Sequence, residues 1–173
     1  MMNCCSLKRW YVFYTYPKFE KKVHDCLIKE NYESFLPMHW VIRQWSDRKK
    51  RLYVPLFPNY IFVNTEYART FEILNNPKVI CCVKFNKQPA YLKQKEIDCL
   101  KNITETDYPF EVSSKLQVGD SIMIIDGPLT GMEGVLAEGR GNHRFAVQVD
   151  SLQQSIMVDV PSNCIETLET AAY

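Results

Sequence analysis

All six glycines of this 173-residue chain fall between Gly119 and Gly141. The first 118 residues therefore make every turn without the residue best suited to positive φ, whereas the tail holds a dense, turn-rich block. Charge divides at the same place: residues 1–109 hold 18 Lys and Arg against 11 Asp and Glu, a net of +7, and residues 110–173 hold 3 against 9, a net of −6. A basic domain joined to a smaller acidic one is expected. The periodic N-terminal region runs over 7–104, a linker carrying Pro109 and two serines occupies 105–116, and the tail domain covers 117–169.

A basic module suits a polyanion, and an acidic one suits a basic protein or its own basic neighbour. The seven cysteines, an odd number, show no Cys-x-x-Cys spacing. That pattern points to a reduced, cytoplasmic protein with no metal site and no cofactor. No stretch approaches the ~18 apolar residues of a membrane span, so neither membrane insertion nor export is expected.

Arg9 to Tyr16 reads as a strand, with Trp10, Val12 and Tyr14 on one face and Tyr11 and Phe13 on the other. Pro17 suits a helix start, and Phe19, Val23, Cys26 and Leu27 follow as one buried stripe. Lys18, Lys21, Lys22 and Lys29 lie off that stripe, either as a solvated face or as a surface for phosphates. Phe35 to Trp45 and Leu52 to Val54 form a hairpin whose turn, Ser46 to Arg51, contains Arg48, Lys49, Lys50 and Arg51. Like charges so close together belong in solvent, where they serve as a plain loop or reach a nucleic-acid backbone.

The stretch Pro55 to Val63 puts two prolines ahead of a strand whose Tyr60 and Phe62 face one way and Ile61 and Val63 the other. One face can be core while the other awaits a partner, although ordinary core packing on both faces also fits the spacing. Tyr67, Phe71 and Leu74 imply a short helix, Val79 to Phe85 a strand, and Leu92, Ile97, Leu100 and Ile103 a further helix. The order predicts an α+β sandwich with a mainly antiparallel sheet. In the tail, Ser121 to Ile125, Gly134 to Glu138, Phe145 to Asp150, Ser155 to Val160 and a stub near Ile165 predict a small all-β barrel.

Within that tail, Val118-Gly119-Asp120 followed by Asp126 to Val135 looks like a KOW motif, with Gly127, Pro128, Gly131 and Gly134 shaping the passage from one strand to the next. Trp10-Tyr11 opening a strand, a helix after Pro17, the basic hairpin, Pro55 to Val63, and Asn76-Pro77-Lys78-Val79 leading to Val83-Lys84-Phe85 together resemble the NusG N-terminal domain. The resemblance covers nearly the whole chain. Leu56 to Val63 looks more like the specialised RfaH and UpxY paralogues than the general factor, which usually has Gly where this chain has Asn59. Asn tolerates left-handed geometry better than most residues.

The resemblance implies a non-catalytic transcription elongation and antitermination factor that docks, as a monomer, on the β′ clamp helices of RNA polymerase and favours processive transcription of long operons. Positions matching the polymerase-facing patch are Tyr14, Tyr60, Phe62 and Cys82. Thr65 to Thr70 matches a loop that meets the β gate loop in relatives. Lys22 and Lys29 match basic positions near non-template DNA, and Cys26 stands where another relative carries a DNA-facing residue. In the tail, Leu152 matches an exposed contact for a small-subunit ribosomal protein or Rho. Some relatives refold this domain into a helical hairpin, but the glycines here oppose long helices and a barrel is expected. Two other readings are open. A ribosome-associated or RNA-binding KOW protein without polymerase contact explains the basic hairpin but not the Tyr60/Phe62 face. A cysteine-nucleophile enzyme lacks support, because His24, His39 and His143 have no local pairing motif.

Overall fold

The computed structural model describes residues 7–45, 47–85, 87–106, 110–113, 119–127, 129–137, 144–149 and 152–168. The chain divides into two compact units, residues 1–94 and 95–173.

The first unit contains β1 (Arg9–Thr15), α1 (Glu20–Lys29), β2 (Glu33–Phe35), β3 (Met38–Gln44), β4 (Lys49–Pro55) and β5 (Tyr60–Thr65). A 3-10 turn at Tyr67–Arg69 then leads into α2 (Thr70–Ile73), β6 (Val79–Cys82), β7 (Lys84–Phe85), β8 (Gln88–Pro89) and β9 (Tyr91–Leu92). The main sheet has the order β2-β5-β1-β6, with β9 also paired to β1, and every pairing is antiparallel. Alternation on the central β1–β5 pair assigns the faces. Tyr11, Phe13, Ile61 and Val63 form a core with Val23 and Leu27 of α1, Tyr32, Ile73 and Val79. Trp10, Val12, Tyr14, Tyr60 and Phe62 fall on the opposite face.

Three elements differ from the sequence expectation. The stretch expected as one strand from Phe35 breaks at Leu36-Pro37 into β2, paired with β5, and β3, paired with β4. Pro37 has no N–H to give to a ladder. Helix α2 buries Thr70 and Ile73, while Tyr67 and Phe71 are exposed. Its 3-10 start turns the chain three residues at a time, so the apolar stripe does not follow an α-helical period. The strand expected over Val79 to Phe85 interrupts at Val83, whose N–H bonds the Val12 carbonyl at 2.8 Å, and β7 and β8 make their own small hairpin.

The second unit begins with α3 (Gln94–Glu105, with its first residue in the first unit), whose Ile97, Leu100 and Ile103 are fully buried. Strands β10 (Phe110–Ser113), β11 (Ser121–Ile124), β12 (Glu133–Ala137), β13 (Arg144–Val149), β14 (Gln154–Asp159) and β15 (Ile165–Thr167) follow. They form one antiparallel sheet in the order β10-β14-β13-β12-β11-β15. Five match the expected tail strands. The sixth, β10, lies within the segment expected as a linker and adds to the edge of β14. Ile122, Ile124, Phe145, Val147, Val149, Ile156 and Val158 are buried. The fold is the expected combination of an α/β sandwich with an antiparallel sheet and a small all-β, KOW-like domain.

Glycine is needed in the β11–β12 connection for two separate reasons. Gly131 has φ +82°, and its N–H closes onto the Ile124 carbonyl at 2.7 Å. Gly134 has no room for a side chain, because a Cβ there would lie 2.5 Å from the Phe145 ring and 2.6 Å from the Ala146 carbonyl oxygen. Gly127 also takes positive φ, and Pro128, the fourth residue of the KOW-like motif, lies outside the described residues.

Candidate functional site

The outer face of the β1–β5 pair is closed along most of its length and opens at one end. Its closed part is aromatic. Phe62 is fully buried, with Phe35 at a centroid distance of 6.2 Å and Phe57 edge-on at 6.1 Å, while Trp10 stands edge-on to Phe35 at 6.3 Å. The expectation that Phe62 offers its ring to a partner is thus corrected. Facing away from α1 does not mean facing solvent, because the Phe35 ring of the neighbouring strand β2 and the Phe57 ring pack against this one.

The open end is the cross-strand pair Tyr14 and Tyr60, whose rings meet edge-on at 5.2 Å and are each half-exposed. Its geometry is set by the turn at Phe57 to Tyr60, with Pro58 at the second position and Asn59, at φ +70°, at the third. Those are the residues and the sign of φ that a type II turn requires. Asn59 ties the site together. Its backbone N–H donates to Glu20 Oε1 at 2.9 Å, its carbonyl accepts from the Thr15 N–H at 2.7 Å, and its Nδ2 donates to the Tyr14 hydroxyl at 3.2 Å. Glu20 is itself buried in the first turn of α1, so the helix start, the turn and the tyrosine pair are one hydrogen-bonded unit. Burial raises the Tyr60 pKa, with the Tyr14 hydroxyl and the Cys81 thiol adding to the effect, so Tyr60 is neutral at physiological pH.

Cys82 does not belong to this face. It pairs with Phe13 and packs against the helix-side core, where burial pushes its thiol up to about 11. The residue opposite Tyr14 is Cys81, which is exposed. A bulge at Ile80 shifts the register of β6 by one residue, and a shift of one exchanges the faces. Nothing in Val79-Ile80-Cys81-Cys82 announces the bulge, so simple alternation could not have found Cys81.

On the helix-bearing side of the sheet, Tyr67, Thr70, Phe71, Leu74, Ile80, Cys81, Cys82 and Pro89 line an apolar groove of about 230 Å³, with the Tyr67 ring near Tyr11 of the core. From the loop Thr65 to Thr70, Tyr67 and Thr70 line it, and Thr65 and Thr70 are buried.

The cations sit elsewhere. Lys22 and Lys29 are exposed on α1 as expected. In the hairpin the turn is closed by a hydrogen bond from the Trp45 N–H to the Arg48 carbonyl at 2.8 Å. Only Arg48 of the four expected turn cations therefore lies at the turn, while Lys49, Lys50 and Arg51 are strand residues paired with Gln44, Arg43 and Ile42. Alternation sends Lys49 and Arg51 to one face and Lys50 to the other. Leu152, expected as an exposed contact, is 9% exposed and belongs to the buried set of the second unit. Among the described residues there is no cluster of His, Cys, Asp and Glu able to hold a metal, and no helix is long and apolar enough to cross a membrane.

Comparison with known proteins places this geometry. The family described as transcription termination factor NusG matches over residues 8–101. The chain is similar to the transcription termination/antitermination protein NusG of Pseudomonas aeruginosa, with 26% identity over 76% of this chain and 81% of that one. It resembles the protein of the same name from Lactococcus lactis at 25% identity, over 92% of this chain and 93% of that one. A solved structure concerning domain interaction in Thermotoga maritima NusG has the same fold, with a TM-score of 0.52 and 24% identity, covering 94% of this chain and 98% of that one. The family match spans more than half of the sequence and includes the whole β1–β5 sheet, the turn at Asn59 and the hairpin, and by it this chain belongs to the NusG family.

Proposed function

We propose that this chain is a transcription elongation and antitermination factor that docks on the β′ clamp helices of RNA polymerase through the open end of its sheet. The observation that carries the reading is the half-exposed Tyr14–Tyr60 pair, held by Asn59 and flanked by exposed Cys81 and Ile80. Aromatic rings fixed in place before binding make effective interface anchors, because little side-chain freedom remains to be lost. Phe62 contributes from beneath as the packed floor of the pair rather than as a contact. The groove at Tyr67 and Phe71, on the helix-bearing side of the sheet, suits the gate loop of the β subunit.

Exposed Lys22, Lys29, Arg48, Lys49, Lys50 and Arg51 supply phosphate contacts to non-template DNA, a term that gives affinity without sequence choice. The second unit serves as the site for a small-subunit ribosomal protein or Rho, with Leu152 supporting that surface from inside. Asn59 in its left-handed conformation is compatible with a specialised paralogue of the RfaH and UpxY kinds, which acts in the cytoplasm on long operons.

The test is recovery of RNA polymerase by the full chain and by a Tyr14→Ala/Tyr60→Ala variant, with thermal melting of both. Truncating two anchors should cost about 2 kcal/mol or more of binding, while the variant stays folded at the assay temperature. Equal recovery of polymerase by both forms would remove the docking surface and leave the RNA-binding reading.

A further inference from the structure

The second unit closes one edge of its sheet with a strand that lies outside the expected barrel. β10 comes from the segment between α3 and β11, and it pairs with β14 as Phe110 with Val158, Glu111 with Met157, Val112 with Ile156 and Ser113 with Ser155. On its other side β14 pairs with β13 over all six of its residues. No turn joins β10 to β14, because β11, β12 and β13 lie between them in the chain. β10 can therefore leave the sheet without opening a hairpin.

Its attachment is light. Val112 is 38% exposed and Phe110 half-buried, while Ile156 and Val158 opposite them are fully buried, so β10 adds little apolar burial of its own. On the other face Arg144 of β13 reaches across β14, with Nη1 3.1 Å from Glu111 Oε2 and Nε 3.1 Å from Asp159 Oδ1. The Glu111 side chain is 71% exposed, and so exposed an ion pair contributes little. Release of Glu111 leaves the guanidinium with Asp159, so no charge is orphaned. What remains is a four-residue ladder, and any incoming strand replaces that in kind. Uncovered, the β14 edge would offer its N–H and C=O groups to an extended segment of another chain.

We propose that β10 is a displaceable strap, with which the chain occupies its own β14 edge and competes against an extended segment of a protein partner. The proposal rests on the reading of the second unit as a partner-binding site, and adds where the partner pairs and what holds it off. Residues 110–173 carry 3 Lys and Arg against 9 Asp and Glu, so a basic protein fits, and the small-subunit ribosomal protein is the occupant. Alternate apolar side chains of its strand take the places of Phe110 and Val112 beside Val158 and Ile156. The strap weakens apparent binding in proportion to the fraction of molecules whose edge is open.

The test uses the full chain. Successive β14 amides point alternately to its two neighbours, and those directed to β10 should exchange with solvent at least about tenfold faster than those directed to β13, read by NMR. Equal exchange would overturn the strap. Binding is then measured with the proteins extracted from small ribosomal subunits, the captured protein being identified by mass. Glu111→Gln removes the ion pair and should bind about two- to fivefold tighter. Loss of an acid would by charge alone weaken a basic partner, so tightening reports release of the strap. Ser113→Cys/Ser155→Cys joins directly opposed residues; oxidised, it should lose the partner and regain it with reductant, with oxidised wild type as the control for the native cysteines. Failure of this bridge to form would overturn the pairing. Equal binding by wild type, Glu111→Gln and the bridged form would overturn the competition while leaving the second unit its partner. No capture of a ribosomal protein by any form would overturn the partner-site reading and the competition with it.

Discussion

The two faces of the β1–β5 pair carry similar side chains and end up in different conditions. Toward α1, Tyr11, Phe13, Ile61 and Val63 are sealed by Val23 and Leu27 of the helix together with Tyr32, Ile73 and Val79. Toward the other side, the Phe35 and Phe57 rings pack against buried Phe62, while Tyr14 and Tyr60 stay half-exposed. A helix laid on a sheet covers several strands at once, whereas single rings such as Phe35 and Phe57 cover only what they reach. The same face is therefore core at Phe62 and half-exposed at Tyr14 and Tyr60.

Phe62→Ala tests the largest part of this contrast. If the outer face is core at its centre, removing a fully buried phenyl ring should cost about 3–5 kcal/mol of stability, read by urea unfolding. A loss below about 1 kcal/mol would fit an exposed contact residue and would break the comparison. Tyr14→Phe addresses the boundary between closed and open, because it removes only the hydroxyl that accepts from Asn59. A loss of about 1 kcal/mol is expected, with polymerase recovery little changed. A loss of polymerase recovery without loss of stability would move that hydroxyl from the scaffold to the interface.

Cysteine labelling separates the faces without disturbing stability. Cys81 is exposed on the open side and should react readily with a maleimide at pH 7.5, whereas Cys82 is half-buried and its thiol is held up to about 11. A raised thiol pKa keeps the unreactive protonated form, so Cys82 labelling should become appreciable only as the pH rises toward that value. Mass mapping of labelled peptides distinguishes the two neighbours, and faster labelling of Cys82 would place the bulge elsewhere.

The pattern of side chains on β1, β5 and α1 was legible in the sequence because period 2 and period 3.6 are local properties. The turn at Asn59 was legible for a similar reason, since proline followed by a residue tolerant of positive φ states its own geometry. Other features depended on distant segments. Phe62 is buried by Phe35 and Phe57. Cys81 and Cys82 exchanged roles through a bulge defined only against β1. Lys49, Lys50 and Arg51 became strand residues once the turn closed at Arg48. A ladder of flat and cationic groups from Lys21 through Tyr53 and Trp40 to Arg51 joins a helix to both strands of the hairpin, and no local spacing encodes it.

By itself the sequence determined the division into a basic, glycine-free region and an acidic, glycine-rich one, the antiparallel α+β class, the strand faces and the family. Each follows from composition or from periodicity along a single segment. Only the tertiary structure decided which of the outward-facing aromatics are floor and which are surface. Exposure is a relation between segments far apart in the chain, and alternation within a strand cannot state it.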